Sequence, residues 1–424
     1  MEDPRYSKIG KVYNGFGTFQ LKSVLIKNDA GDWGTEPNEN AVGIIRSTNF
    51  NNNGKLDLSD IAYRTLSPQK FEDKKLSSSD ILIERSGGSD TQPVGRIGYI
   101  TDDMTDKKLS FANFIQRISL DETVDAKFVY YCLQQMYEMG ITASMQFQTT
   151  GIRNLDWKFY LKTYLPKPTK EEQTAIANIL SMVDEAIASV LNSIAAAERL
   201  KKSLMQNLLT GKMKPDGTFR TPEEFYIDKK FGKVPIGWEV KRVDDLALRK
   251  TEVIDPTKTN EVFDYIGLEH IISNEFERNG KGMSNETVAL KVKFEKGDIL
   301  YGKLRPYLNK VLIADISGVG STEFIVLGRN EFTNWVYLNF QLRRFLDFTK
   351  SMTAGTQHPR VSWNDIKRYP IYIPKDIHEM NLISDKIVAL ESFRQSQQQK
   401  IKKTERLKKS LMQNLLTGKV KIQK

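Results

Sequence analysis

Cysteine and histidine are scarce in this sequence, and several common functional motifs are missing. The chain has one cysteine, Cys132, so no intrachain disulfide can form, and this usage predicts a cytoplasmic protein. Its three histidines, His270, His358 and His378, are too scattered to predict a zinc site. No phosphate-binding loop, GxSxG, HExxH, CxxC or GxGxxG motif occurs. The sequence therefore predicts no catalytic residue, metal ion or cofactor of its own.

Long apolar runs are also absent. No uninterrupted stretch of about 18 apolar residues occurs, and the N-terminus lacks the apolar core of a signal peptide, so we predict no membrane segment. The formal net charge is +10, from 63 Lys and Arg against 53 Asp and Glu. This excess favours a polyanionic partner, foremost nucleic acid. Charge alone fits an ordinary basic protein equally well.

The most informative feature present is an internal repeat. The segment ERLKKSLMQNLLTGK occupies residues 198–212 and again 405–419, so its two copies lie 207 residues apart. Weaker landmarks precede each copy in the same order, such as Asn-Gly-Lys at 53–55 and 279–281. We predict a tandem duplication in which one segment stayed constant and the rest diverged. The constant segment would then contact the same partner twice, and the divergent segments two different targets.

Each copy of the repeat ends a long amphipathic pattern, whose apolar residues recur at spacings of three and four. In the first copy they are Ile176, Leu180, Val183, Ile187, Val190, Ile194 and Ala197, continued by Leu200, Leu204 and Leu208. In the second copy they are Ile383, Ile387, Leu390, Ile401, Leu407, Leu411 and Leu415. The pattern predicts two helices of about 40 residues, each roughly 60 Å long.

Such a helix needs a mate, and the other copy is the obvious one, although an ordinary helix within a bundle is the alternative. Only residues 213–231 connect the first helix to the second divergent region. That region must therefore begin near the far end of the first helix, and its own helix must run back. The sequence thus predicts an antiparallel pair.

These patterns predict an α+β fold with a pseudo-two-fold internal repeat. Two globular domains of mixed α/β type are separated by a pair of long antiparallel coiled-coil helices. The predicted boundaries are 1–165 for the first domain, 166–212 for the first long helix, 213–231 for a linker, 232–373 for the second domain and 374–424 for the second long helix.

Three segments carry a resemblance to a known family: LPKPTKEEQTAIANIL from residue 165, the repeated RLKKSLMQNLLTGK, and GKVPIGWEVKRVDDL at 232–246. With the Ser-Thr-Glu-Phe at 321–324, they resemble the specificity subunits of type I restriction-modification systems over the whole chain. One departure is that the first domain lacks the Pro-x-Gly-Trp that opens the second. Its start is therefore not defined by the sequence.

The resemblance implies a subunit that reads double-stranded DNA and has no catalysis of its own. Each target-recognition domain would read one half of a bipartite site, and the paired helices would act as a ruler between the halves. The constant helices would hold two methyltransferase subunits, and the larger complex adds two ATP-driven restriction subunits. S-adenosylmethionine, ATP and magnesium would belong to those partners.

Candidate site residues follow from side-chain chemistry, because Arg, Lys, Asn, Gln and Ser on loops after strands are the usual readers of base edges. The DNA-binding candidates are Arg46, Ser47, Asn49, Arg85, Arg96 and Arg153 in the first domain and His270, Lys303, Arg305, Lys310, Gln357 and Arg360 in the second. Candidates for binding the methyltransferase, predicted to be exposed, are Lys201, Lys202, Gln206, Asn207, Lys408, Lys409, Gln413 and Asn414.

Two other functions stay open from the residues alone. A stand-alone architectural or regulatory DNA-binding protein, in which the helices dimerise the chain, predicts tight DNA binding without any partner. A scaffold that binds only proteins predicts no salt-dependent affinity for DNA. The ruler hypothesis explains better than either why one helix is constant while its neighbours diverge.

Overall fold

The computed structural model describes residues 6–89, 92–149, 151–353 and 359–422. The chain divides into two compact units. Unit 1 comprises Met1–Leu191 and Gln399–Lys424, and unit 2 comprises Asn192–Gln398. Each unit contains one globular domain, named domain one or domain two here, and half of each of two long helices. The predicted α+β fold with an internal repeat is confirmed.

In its described residues, domain one is built from short strands and four helices. Its strands are β1 Tyr6–Ser7, β2 Gly10–Lys11, β3 Gly17–Gln20, β4 Leu25–Ala30, β5 Val42–Ile45, β6 Ala62–Arg64, β7 Ile81–Glu84, β8 Ser86–Gly87, β9 Ile97–Tyr99, β10 Leu109–Phe111, β11 Ile115–Leu120, β12 Gln146–Thr149, β13 Ile152–Leu155 and β14 Tyr164–Lys167. Its helices are α1 Pro68–Lys74, α2 Asp102–Thr105, α3 Ala126–Glu138 and α4 Trp157–Leu161, and the first long helix is α5 Lys170–Leu208.

Domain two has the same kind of composition. Its strands, with the hairpin before it, are β15 Phe225–Asp228, β16 Gly232–Pro235, β17 Trp238–Arg242, β18 Arg249–Lys250, β19 Val253–Ile254, β20 Asp264–Ile266, β21 Gly282–Met283, β22 Lys291–Phe294, β23 Ile299–Gly302, β24 Val311–Ile313, β25 Gly318–Ser321, β26 Phe324–Leu327 and β27 Pro370–Pro374. Its helices are α6 Val243–Leu246, α7 Thr333–Phe340, α8 Arg343–Ser351 and α9 Trp363–Ile366, and the second long helix is α10 Ile377–Leu415.

The two domains share their central sheets. Domain one has a four-stranded sheet of order β4-β11-β7-β9, and domain two has one of order β18-β26-β23-β24. One inner strand of each sheet, called its middle strand here, is buried along its whole length, as expected of a strand covered on both faces. These strands are Ile81–Glu84, which is apolar up to Glu84, and Ile299–Gly302. A parallel pair also recurs, β10 on β5 and β25 on β20. The duplication therefore extends to strand order and direction.

The start of domain one, which the sequence left undefined, resembles the start of domain two. Strand β3 pairs antiparallel with β14, just as β17 pairs with β27. A hairpin precedes each, β1-β2 in one case and β15-β16 in the other. The segment 213–231, predicted as a linker, thus contains a paired strand.

The two long helices have the predicted length and their pairing is antiparallel in each unit. Both are 39 residues long, and each is followed by a glycine with positive φ, Gly211 (67°) or Gly418 (71°), which ends the helix with a left-handed residue. In unit 1 the beginning of α5 and the end of α10 share one apolar core, through Leu180 and Met412 among others. In unit 2 the end of α5 shares a core with the beginning of α10.

Part of the predicted apolar stripe is wrong. Leu200 and Leu407 are 49% and 52% exposed, whereas Met205 and Met412 are buried. The reason is that the buried face passes from Ala197 to Met205 in two steps of four residues. Successive helical residues are rotated by about 100°, so Leu200 is turned away from the core.

One described helix, α5, is long and apolar enough to cross a membrane by length and composition, with a window of mean hydropathy 1.4. This differs from the prediction based on uninterrupted apolar runs, because isolated polar residues interrupt the window without lowering its mean much. A core helix of a soluble protein passes the same test. In each unit the packing against α10 accounts for part of this apolar surface.

Candidate nucleic-acid interface

A short 3-10 turn follows the parallel pair in each domain, at Ser47–Asn49 after β5 and at Leu268–His270 after β20. Asn49 Oδ1 accepts a hydrogen bond from the backbone N–H of Arg46 at 2.9 Å. His270 Nδ1 accepts one from the N–H of Gly267 at the same distance. Both side chains therefore hold a turn. The prediction that Asn49 contacts bases is corrected, because its side chain is buried.

A basic residue supports each turn, and it lies just before β9 in domain one and just before β24 in domain two. In domain one this residue is Arg96, whose Nη2 donates to the carbonyl of Ser47 at 2.9 Å and whose Nη1 donates to the carbonyl of Phe50. Its guanidinium also forms a two-pronged ion pair with Glu84, at 2.7 and 2.8 Å. Because Arg96 is 6% exposed and Glu84 is fully buried, the prediction that Arg96 reads DNA is wrong.

In domain two the same place is taken by Lys310, whose Nζ donates to the carbonyl of Leu268 at 2.6 Å. The equivalence follows from the strand register, since β9 pairs with β7 as β24 pairs with β23. Gly302 stands where domain one has Glu84, so this lysine has no carboxylate from β23. Lys310 thus also stabilises a turn.

A second loop leaves the middle strand of each central sheet and meets a returning strand. In domain one, Ser86 and Gly87 pair with Asn154 and Arg153. In domain two, Leu304 forms a single bridge with Arg360. The fold thereby brings Arg85 close to Arg153 in one domain, and Lys303 and Arg305 close to Arg360 in the other. Gln357 lies outside the described residues.

The turn and the loop of each domain are neighbours. A Cβ on Gly87 would lie 3.8 Å from Ser47 Oγ, and one on Gly302 would lie 2.8 Å from Leu268 Cδ2. We call this region the turn–loop surface. It comprises residues 46–49, 85–88 and 153 in domain one, and 267–270, 303–307 and 360 in domain two.

The charges of this surface are only partly neutralised within the protein. Arg46 pairs with Asp60 at 3.0 Å, and Arg360 with Glu323 at 3.2 Å; both ion pairs are partly exposed. Burial lowers the pKa of the Lys303 ammonium, and the neighbouring Arg360 lowers it further, while Glu323 acts in the opposite direction. An added anion would therefore be stabilised by this surface.

Three residues of the surface escaped prediction. Thr48 and Glu269 are the exposed middle residues of the two turns, and Tyr307 is 44% exposed on the second loop. The sequence offered a signal for Tyr307 only, since the neighbouring Pro306 is typical of a turn and turns lie on the surface. The turns themselves could not be recognised because their capping residues, Asn49 and His270, differ.

The repeated segment has a surface that differs from the predicted one. Lys201 Nζ lies 2.6 Å from Glu391, and Lys408 Nζ lies 2.7 Å from Asp184, each within one unit. The expectation that these two lysines are exposed is therefore wrong, because each is largely buried in an ion pair. Lys202, Lys409, Gln206 and Gln413 are exposed, and Asn207 and Asn414 are half-buried.

Comparison with known proteins identifies the family. The sequence profile described as "Type I restriction modification DNA specificity domain" matches residues 14–199 and again 235–406. The chain belongs to this family. The predicted resemblance to type I specificity subunits is thereby confirmed, and the double match follows the internal repeat.

Relatives of this specificity family are distant in sequence. The chain is 24% identical over 229 residues to the EcoDI specificity subunit of Escherichia coli, an alignment that covers 49% of this chain and half of that relative. It is 24% identical to the MjaVIII specificity subunit of Methanocaldococcus jannaschii, over 65% of this chain and 67% of that relative. A putative MjaX specificity subunit of the same organism is 20% identical over 99% of this chain and 97% of its own length.

Solved structures show the same fold for this specificity protein. The type I restriction-modification S subunit from M. genitalium covers 99% of this chain and 100% of its own, with a TM-score of 0.59 and 15% identity. A chain from a structure on complex assembly and conformational transition of the type I R-M system covers 97% of this chain and 100% of its own, with a TM-score of 0.50 and 12% identity. At these identities the likeness concerns the fold.

Proposed function

We propose that this chain is the DNA-reading subunit of a type I restriction-modification complex, in which each domain reads one half of a bipartite target. The two long helices set the number of unread base pairs between the halves. Through the repeated 15-residue segments they also hold two methyltransferase subunits, and two ATP-driven restriction subunits complete the larger assembly. The chain itself is non-catalytic and acts in the cytoplasm.

The observation that carries this proposal is the turn–loop surface, which occurs in both domains on the same framework with different side chains. Arg46 and Thr48 of the first turn correspond to Gly267 and Glu269 of the second. A constant framework with variable polar residues is what reading two different base sequences requires, because base edges are distinguished by their donors and acceptors. That the target is DNA is supported by membership of the DNA specificity family.

Reading is tested by changing one domain at a time. Lys303→Ala with Arg360→Ala should alter the half-site of domain two only, and Arg85→Ala with Arg153→Ala should alter the other half-site only. The measurement is sequencing of the sites methylated by each variant together with its methyltransferase partner. Changes in both half-sites from either pair of substitutions would contradict the assignment of one half-site to each domain.

The ruler is tested by lengthening both long helices by four residues. Four residues add about 6 Å of helix, or one to two base pairs at roughly 3.4 Å each. The methylated sites should keep the bases of both halves and gain a wider gap. Altered bases with an unchanged gap would sink the ruler, although DNA reading by the two domains could still stand.

Partner binding is tested on the exposed part of the repeated segment. Lys202→Glu alone should leave a complex with one methyltransferase subunit, and Lys202→Glu with Lys409→Glu should leave none. Native mass spectrometry gives the stoichiometry. An unchanged complex in the double variant would exclude this surface, and tight specific DNA binding by the chain alone would favour a stand-alone DNA-binding protein.

A further inference from the structure

The loop after β23 in domain two holds an arginine in a conformation that L side chains rarely adopt. Arg305 has φ 51° and ψ 63°, in the left-handed region. By strand register the corresponding residue of domain one is Gly87, which is followed by Gly88, and both have positive φ. A bend that glycine makes without strain is therefore made in domain two by a residue with a long side chain, at a steric cost.

The surrounding structure holds this loop in place. The backbone N–H of Arg305 donates to the carbonyl of Pro359 at 2.8 Å, and its own carbonyl accepts from Leu308 at 2.9 Å. At the other end of the loop Asn309 is buried, has φ 41°, and donates from Nδ2 to the carbonyl of Phe340 at 3.1 Å. Both ends of the loop are thus anchored to the core of domain two.

Two side chains project from the anchored loop. Arg305 and Tyr307 are exposed, while Pro306 between them is buried. Within the part of the chain that the structure describes, the Arg305 guanidinium forms no hydrogen bond or ion pair, whereas the nearby Arg360 pairs with Glu323. The strained residue therefore also has a charge that is left for an outside ligand.

The chemistry of that ligand follows from the guanidinium. Its two parallel N–H donors match the O6 and N7 acceptors of guanine in the major groove, which is the commonest specific contact between a side chain and a base. A lysine can also donate to O6 and N7, but it lacks the rigid planar pair of donors that matches both acceptors at once. An anchored backbone fixes where the arginine side chain leaves the loop, although not where its guanidinium ends. Phosphate contacts carry no sequence information, so only a contact with a base edge would make Arg305 specific.

We propose that Arg305 is a specificity-determining residue of domain two and that the half-site read by this domain contains a guanine recognised through O6 and N7. The inference rests on the proposed function. Domain one, which has Gly87 and Gly88 at this place, reads its own half-site without an equivalent contact. Backbone strain at position 305 is maintained because the arginine is needed there.

Two substitutions separate recognition from structure, both made in the full chain bound to its methyltransferase partner. Arg305→Lys keeps the charge but loses the planar pair of donors, and should lower the preference for guanine at one position by about 10-fold. Arg305→Gly removes the strain and the side chain. It should lose the same preference while the melting temperature stays equal or rises, because relief of strain opposes the greater freedom of unfolded glycine.

The matched control is Arg343→Lys, an equally conservative change on α8, where Arg343 is 77% exposed and pairs with Asp347. It should leave both half-sites and the melting temperature unchanged. Methylated-site sequencing and competition binding with guanine replaced by each other base give the readouts.

The inference is overturned if the half-site of domain two contains no guanine, if Arg305→Lys retains the full preference, or if Arg305→Gly lowers the melting temperature together with recognition. In the last case the residue is structural. The proposed function stands through all three outcomes as long as a bipartite site is methylated. If no bipartite site is methylated by the unaltered chain and its partner, the proposed function fails first.

Discussion

Domain one and domain two are most alike in the residues that support their turn–loop surfaces. They differ most in the side chains that those surfaces expose. A capping side chain, Asn49 or His270, closes the same turn in each, and a basic residue, Arg96 or Lys310, supports it. Duplication has thus preserved the positions that build the surface while their chemistry changed.

The difference is largest around the basic support. Arg96 is neutralised by the buried Glu84, whereas Lys310 has Gly302 at the corresponding position. The loop glycines Gly87 and Gly88 in domain one correspond to the strained Arg305 region in domain two. Arginine is thus structural at Arg96 in domain one but exposed to solvent at Arg305 in domain two. An arginine in the sequence therefore does not by itself identify a DNA reader.

The largest expected loss of stability follows from substituting the basic residue that supports each turn, Arg96 or Lys310. Arg96→Met leaves the fully buried Glu84 without its partner and should lower the free energy of unfolding by about 3 to 5 kcal/mol. Lys310→Met removes one hydrogen bond to a carbonyl and should cost about 1 to 2 kcal/mol. Urea unfolding of the two variants measures both. Equal losses would show that the two residues are not the different supports described.

A smaller loss of stability is expected from substituting Lys408 or Lys201, the largely buried lysines of the repeated segment. Lys408→Met leaves Asp184 with the hydroxyl of Tyr131 as a remaining donor, at 2.8 Å, and should cost about 2 to 4 kcal/mol. Lys201→Met leaves Glu391 paired with Arg394 and should cost about 1 kcal/mol.

Thermal unfolding of the full-length variants checks this order. Adding Asp184→Asn to Lys408→Met should restore part of the loss, because it removes the unpaired carboxylate. If Lys201→Met lowers the melting temperature as much as Lys408→Met does, Arg394 does not compensate for the lost lysine. The two lysines would then contribute equally to stability, which contradicts the prediction.

The smallest effect is a pH dependence confined to one half-site. The lowered pKa of Lys303 means that its ammonium loses its proton below the ordinary lysine value of 10.5. Bound DNA favours the charged form, so binding takes up a proton and affinity falls as the pH rises toward that value. Lys303→Arg should remove the dependence. The corresponding residue of domain one is Arg85, so DNA altered only in the half-site of domain two should show a weaker dependence.

Much of the architecture could be predicted from the sequence because it depends on periodicity. The two 39-residue helices follow from apolar residues at spacings of three and four, and the antiparallel pairing follows from the short connection after the first helix. Leu200 was misassigned because the repeat alone cannot show that Lys201 occupies a core-facing position. An ion pair with a residue 190 positions away, Glu391, decides that orientation.

Site residues were less predictable because exposure depends on tertiary partners. Arg85 and Arg96 look alike in sequence, yet only Arg96 is enclosed by Glu84 and two carbonyls. The strain at Arg305 could not be anticipated either, since a non-glycine residue gives no sign of positive φ. The strand register that brings Arg360 beside Leu304 was likewise invisible.

The division of the chain into units has a consequence for the order of folding. Unit 2 is one continuous segment, Asn192–Gln398, whereas unit 1 needs both Met1–Leu191 and Gln399–Lys424. The core of unit 1 includes Met412 and Leu416, and the N–H of Tyr13 donates to the carbonyl of Thr417 at 2.9 Å. On the ribosome, where domains usually fold in order of synthesis, the unit that begins first can be completed only last. Until the end of α10 has been synthesised, the apolar face of α5 in unit 1 lacks the residues that cover it in the folded chain.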